Sequence, residues 1–232
     1  MEGQLNSKER EIITQWVTTL KPERALEVGT WLGGGSTLHI LKALESNGRG
    51  HLWGIEAFLS IYDAMLKNIN SAGTEIAARF TPLFGFSQNV IPEFLSKTGK
   101  GTTIEFVFLD GGDNPMEQVT EFQVLRDSMP VGAVLLSHDA KLRKGKWLVP
   151  YLKAHDNWEC KLHDVSDEGM FEAIKTGPHP SKDSEESAAR LLKSLRRQPT
   201  ELLGRILPAP VINLLLRLIP RKLVLRITQG RA

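Results

Sequence analysis

Four apolar runs of this 232-residue chain end in residues that can do chemistry. Glu27 leads into the turn Gly29-Thr30-Trp31-Leu32-Gly33-Gly34-Gly35-Ser36, and Glu56 closes a second run. Asp110 closes a third, with Asp113 three positions on, and His138-Asp139 close a fourth. Glycines without a Cβ let the backbone approach a ligand, and a helix that follows offers its free N–H groups. The same segment also reads as an ordinary strand-to-helix turn. A carboxylate at Glu56 can accept hydrogen bonds from both hydroxyls of a ribose; alone it reads equally as a solvated strand-end glutamate, and beside the glycine turn ribose binding is favoured. The G-x-G-x-x-G fingerprint is absent, because three non-glycine residues follow Gly29, and this spacing argues against a nicotinamide enzyme.

The elements that must position these residues follow from periodicity. Apolar residues at helical spacing between Ser7 and Leu20, with Asn6 as cap, Glu9 in the capping-box position and Pro22 as stop, predict an N-terminal helix. Strands are expected at 24–28, 51–55, 79–84, 104–109 and 132–136. Helices are expected at 36–45, 61–72, 90–95, 116–129 and 148–154. Residues 158–165 and 170–175, separated by Ser166-Asp167-Glu168-Gly169, read as an antiparallel hairpin. Strands alternating with helices predict an α/β fold: a doubly wound, seven-stranded, mostly parallel sheet with a terminal antiparallel hairpin. In such sheets ligands bind beyond the carboxyl ends of the strands, where the acidic residues named above converge.

Five segments, LEVGTWLGGGST, GIEAF, GFSQNVIP, FVFLDGG and GAVLLSHD, stand in an order and spacing that resemble class I S-adenosylmethionine (SAM)-dependent methyltransferases. The narrower likeness is to small O-methyltransferases of the catechol and bacterial sugar types, and it covers about residues 8–176. The resemblance implies a Rossmann-like domain that moves the methyl group of SAM to a hydroxyl oxygen of a small molecule or sugar. It places Glu27, Gly29 and Gly33 around the methionine part and Ser36 on its carboxylate. It gives Glu56 the ribose, Ala57, Ser87 and Gln88 the adenine, and Asp110 the sulfonium end. Many relatives hold Mg²⁺ after the fourth and fifth strands, where this chain has Asp110, His138 and Asp139. An imidazole in that set suits a softer divalent ion better than Mg²⁺. His138 packed at a strand end, with Asp139 capping the next turn, is the alternative. Where relatives carry a Lys or His as base, this chain has Asp113, which reads either as the base or as part of a helix entrance with Asn114 as cap and Pro115 at the first helical position. A fold that keeps its ligand but has lost catalysis, and a nicotinamide-dependent oxidoreductase, are the competing functions.

The net charge of +2 conceals two parts: residues 181–232 carry +7 and the rest −5. The expected division is a methyltransferase-like domain at 1–177, a linker at 178–187 and a basic amphipathic helical tail at 188–232. An apolar tail studded with Lys and Arg fits an anionic membrane surface or a second subunit equally. It has no Phe, Tyr or Trp to stack on bases, which argues against nucleic acid. The charged N-terminus is not a secretory signal and no run suits a bilayer span, so the expected location is the cytoplasm, with peripheral attachment to the inner membrane surface as an option. The single cysteine, Cys160, excludes an internal disulfide and reads as a spectator.

Overall fold

The computed structural model of the chain describes residues 5–99 and 101–197. Its strands are β1 (Arg24–Val28), β2 (His51–Glu56), β3 (Phe80–Phe84), β4 (Phe106–Leu109), β5 (Val134–Ser137), β6 (Trp158–His163) and β7 (Met170–Lys175). They form one sheet in the order β3-β2-β1-β4-β5-β7-β6. The first five pair in parallel; β7 runs antiparallel to both of its neighbours. The doubly wound sheet with its terminal hairpin is the architecture that the alternation of patterns predicted.

The helices are α1 (Ser7–Leu20), α2 (Ser36–Ser46), α3 (Leu59–Ser71), α4 (Thr74–Ala77), α5 (Ser87–Thr98), α6 (Pro115–Leu125), α7 (Leu148–Lys153) and α8 (Lys182–Arg196). The central strands bury both faces, and alternate residues serve two cores. Leu26, Val28, Val107, Leu109 and Leu135 face a layer that includes Phe94, Phe122, Leu148 and Leu192. Ala25, Phe106, Phe108, Val134 and Leu136 face Ile13, Val17, Ile40, Leu44 and Met65. This two-sided covering explains why the central strands lack polar alternation. Caps act as the sequence indicated: Asn6 and Glu9 form a capping box on α1, and Asn114 with Glu117 does so on α6, with Pro115 at its start.

Boundaries differ where tertiary contacts override local pattern. Helix α5 starts at Ser87 rather than 90, with the Ser87 hydroxyl donating to Glu121 of α6 instead of capping its own helix. The short α4 was not expected. Strand β4 starts at Phe106 rather than 104, because the Ile104 N–H donates to Ser128 O outside the ladder. Cys160 is half-buried and burial pushes its thiol up to about 11, as a spectator requires.

The expected linker at 178–187 is helical from Lys182 on. Ser181 caps α8, Arg126 donates to Glu185, and Ser184 donates to Ala154 O while accepting from the Asp156 N–H. Ala188 and Leu192 enter the first core, so residues 188–197 of the expected tail pack on the body. The readings made for residues 198–232, membrane surface and second subunit included, lie outside the described residues. Among the described residues no helix is long and apolar enough to cross a membrane. Ala188→Glu would put an unpaired charge into a closed interface, at a cost on the order of 3 kcal/mol. A drop in melting temperature of roughly 6–12 °C is expected, against no change for the exposed Ser194→Glu, measured by thermal unfolding.

Candidate active site

The order of strands reverses between β1 and β4, and at that point two backbones nearly touch. Gly29 has φ +87°, and a Cβ there would lie 2.7 Å from the Gly111 nitrogen and 2.8 Å from the Asp110 carbonyl carbon. The Gly29 N–H donates to Ile55 O, tying the turn to β2. Gly33 has φ +75° and Trp31 φ +50°, so the loop makes two further left-handed steps before Gly35 starts α2 without a side-chain cap. The result is a tight, glycine-rich turn over the carboxyl ends of β1, β2 and β4.

Glu56 borders this turn from β2. Its Oε2 accepts from the Trp31 N–H at 3.1 Å, and its Oε1 accepts from the N–H groups of Ala57 at 2.9 Å and Phe58 at 3.1 Å. A carboxylate has about four acceptor positions, so one on Oε2 stays open. Glu27 is fully buried in β1. Its Oε1 accepts from the Ser36 hydroxyl, while Oε2 has no hydrogen-bond partner in the described structure. Burial, opposed by hydrogen bonds from Ser36 and Thr37, pushes its carboxyl up to about 8. Ser87 is buried against Glu121, Ala57 is half-buried, and Gln88 is exposed at the start of α5. Trp31, Phe58, Phe84 and Phe86 stand exposed around the same edge, with the Phe58 and Phe86 rings 6.4 Å apart edge to face.

The second half of the site lies over β4 and β5. Asp110, His138 and Asp139 each bring a ligand atom within 4.8 Å of the others. The His138 ring is buried with Nδ1 3.3 Å from Asp110 Oδ1 and 3.4 Å from Asp139 Oδ1, and its Nε2 is 3.2 Å from Glu9 Oε1 of α1. Lys144 binds both aspartates: its Nζ donates to Asp110 Oδ1 at 2.8 Å, to Asp110 O at 2.9 Å and to Asp139 Oδ2 at 2.7 Å. The 139–145 loop delivers it by folding back on itself. A Cβ on Gly145 would meet Ala140 Cα at 2.6 Å and Asp139 O at 2.7 Å. Burial works against the charged His138 ring, but the hydrogen bond to Asp110 and the charges of Asp110, Asp139 and Glu9 outweigh it and push the imidazole up to about 9. For Lys144 burial is likewise outweighed by Asp110 and Asp139, which hold its ammonium above the usual range.

The expected site residues thus fall into two groups over one sheet edge, Glu27, Gly29, Gly33, Ser36 and Glu56 on one side and Asp110, His138 and Asp139 on the other. Asp113 joins neither. It is exposed in the loop before α6 and makes no hydrogen bond or ion pair among the described residues. Sequence reasoning missed Lys144, which sits in Lys141-Leu142-Arg143-Lys144-Gly145-Lys146 and looks like any solvated basic loop. It also missed the reach of Glu9 beyond its cap and the buried Glu121, whose carboxyl is pushed up to about 7 by desolvation. Only the glycine after Lys144 hinted at a tight return.

Glu27 and Glu121 keep their protons in the folded chain at pH values where the unfolded chain has lost them, so stability falls as pH rises from about 4.5 to about 8. The charged His138 ring adds stability that is complete below about 6.5 and is lost as pH rises through about 9. Urea unfolding at pH 5, 7 and 8 should show a falling free energy in the native chain and a shallower fall in Glu27→Gln, which keeps an acceptor for Ser36 and cannot titrate.

Residues 26–140 match the sequence family described as a methyltransferase domain. No curated protein sequence matches the chain. Among solved structures it is similar to the O-methyltransferase TomG from Streptomyces achromogenes, involved in tomaymycin synthesis and in complex with SAM: TM-score 0.61, 19% identity, 75% of this chain and 82% of that one. It is similar also to the O-methyltransferase from Bacillus cereus in complex with SAH: TM-score 0.60, 18% identity, 75% of this chain and 83% of that one. The family match spans the glycine turn, Glu56 and both aspartates, and the fold around them is the one these enzymes share. Residues 26–140 are thus a match to a methyltransferase domain on the fold of these solved O-methyltransferases.

Proposed function

We propose that the protein transfers the methyl group of SAM to a hydroxyl oxygen of a small molecule or sugar. The observation that carries this reading is the glycine turn at the strand reversal, where Gly29 leaves no room for a Cβ and Glu56 keeps an acceptor position open beside it. Glu27 Oε2 at the same turn is buried without a partner, and a methionine ammonium beside it would supply the positive charge that lets this carboxyl ionise. The complexes of TomG with SAM and of the Bacillus cereus enzyme with SAH support the same assignment.

In this reading Glu56 holds the ribose, and Gly29 and Gly33 let the backbone lie against the methionine part, with Ser36 beside its carboxylate. Ala57, Ser87 and Gln88 border the adenine, and the exposed rings of Phe58 and Phe86 offer it apolar faces. When bound, SAM supplies a methyl group already activated on a positive sulfur. The protein's own work is to orient the acceptor oxygen in line and to take its proton. Asp110 borders the transfer point, and Asp113, exposed three residues after it and without a partner among the described residues, is the carboxylate we assign to take the proton.

Calorimetric titration with SAH tests the site without knowledge of the acceptor. Binding is expected in the native chain and should weaken roughly 10- to 100-fold in Glu56→Ala, the loss of one or two charge-assisted hydrogen bonds; absence of binding in the native chain would overturn the proposal. With any acceptor found by screening hydroxylated metabolites against labelled SAM, Asp113→Asn should lower kcat and leave SAH affinity unchanged.

A further inference from the structure

The Asp110–His138–Asp139 cluster has the composition of a metal centre, but a side chain of this protein already lies in it. The Lys144 ammonium sits between the two carboxylates, 2.8 Å from one and 2.7 Å from the other. His138 Nδ1 faces both aspartates, 3.3 Å from Asp110 Oδ1 and 3.4 Å from Asp139 Oδ1, while its Nε2 faces Glu9, so the ring adds a further positive charge on the same carboxylates. A divalent ion at this place would need those same oxygens and would meet a positive charge within a bond length or two. We propose that the Lys144 side chain permanently takes the place of a divalent cation, so that this methyltransferase site works without a metal and does not hold its acceptor by chelation.

The chemistry differs in a way that bears on the acceptor. A divalent ion binds six or more oxygens and keeps positions open for two oxygens of a bound diol. An ammonium has three donors and no more. Here all three are used, on Asp110 Oδ1, Asp110 O and Asp139 Oδ2. Lys144 therefore neutralises the aspartates and fixes their geometry but has no valence left for a substrate oxygen. The acceptor class that suits such a site presents one hydroxyl, oriented by shape, rather than a vicinal pair gripped by an ion. This part rests on the methyl-transfer reading above; the exclusion of the metal does not.

Two arguments make the arrangement a built one. Gly145 packs so closely on Asp139 and Ala140 that a Cβ would not fit, and its N–H donates to Asp139 O, which holds the Lys144 backbone beside the aspartates. The lysine is buried, and a long cationic side chain is buried only where its charge is matched.

Titration calorimetry of the full chain with MnCl2 and with MgCl2, with and without SAH, tests the proposal. No saturable uptake is expected in the native chain. Lys144→Ala, and Lys144→Gln as the variant closer in volume, should gain Mn²⁺ binding tighter than the native chain by roughly a factor of ten or more. That gain should vanish when Asp139→Asn is added, with thermal melts confirming that each variant is folded. Saturable Mn²⁺ binding by the native chain that is lost in Asp139→Asn would overturn the proposal. So would folded Lys144 variants that take up no metal, since the lysine would then replace nothing. SAH binding, read in the same series, fails or succeeds independently and bears only on the methyl-transfer reading.

Discussion

The close approach of the backbones at Gly29 and Gly111 is the constraint on which this molecule depends. A side chain on Gly29 would collide with Asp110 and Gly111, and one on Gly111 would lie 2.8 Å from Val28 Cγ1. Only with both positions bare can β1 and β4 continue side by side to their ends, with the Asp110 N–H still donating to Val28 O. That continuation brings Glu27, Glu56 and Asp110 from three strands to one edge. The connections to α2 and α6 leave that edge toward opposite faces of the sheet, and the glycines keep side chains out of the point of reversal.

The second organising interaction is electrostatic. Asp110, Asp139 and Glu9 would repel one another in a site largely shielded from water, yet they converge within reach of His138 and Lys144. Two cations against three carboxylates make a cluster whose members each lower the cost of burying the next, and the removal of one leaves others uncompensated. The polar network continues from His138 into the core: Gln118 of α6 donates to His138 O and accepts from the Ser137 hydroxyl. The two halves of the site thus share a wall, with Asp110 belonging to both.

Much of this was legible in the sequence because local rules and tertiary structure agree there. The continuous apolar run ending at Asp110 marks a strand covered on both faces, and Asn114-Pro115 with Glu117 marks a helix start that the fold leaves unchanged. Glu27, Glu56 and His138 could be placed on one edge because strand ends in a parallel sheet must lie together. Lys144 was not legible, because its role comes from a loop that folds back through Gly145, and neither periodicity nor capping records such a return. Glu9 was read only as a cap; its second and third contacts depend on where α1 docks, which its own sequence does not state. The start of α5 at Ser87 and the docking of α8 on the body were hidden for the same reason: each is decided by a partner far along the chain.

The contacts of Glu9 have a consequence for assembly. Its carboxylate reaches His138 across 129 residues and accepts from the Ser166 hydroxyl across 157. A growing chain can form α1 early, since the capping box is local, but the glutamate that closes that box meets His138 only once β5 is made and Ser166 only with the turn of the final hairpin. Closing so long a loop is slow and costly in entropy. The charge cluster is therefore among the last parts of the body to come together, and a partly made or truncated chain carries its carboxylates and its histidine apart, with the reactive edge still unassembled.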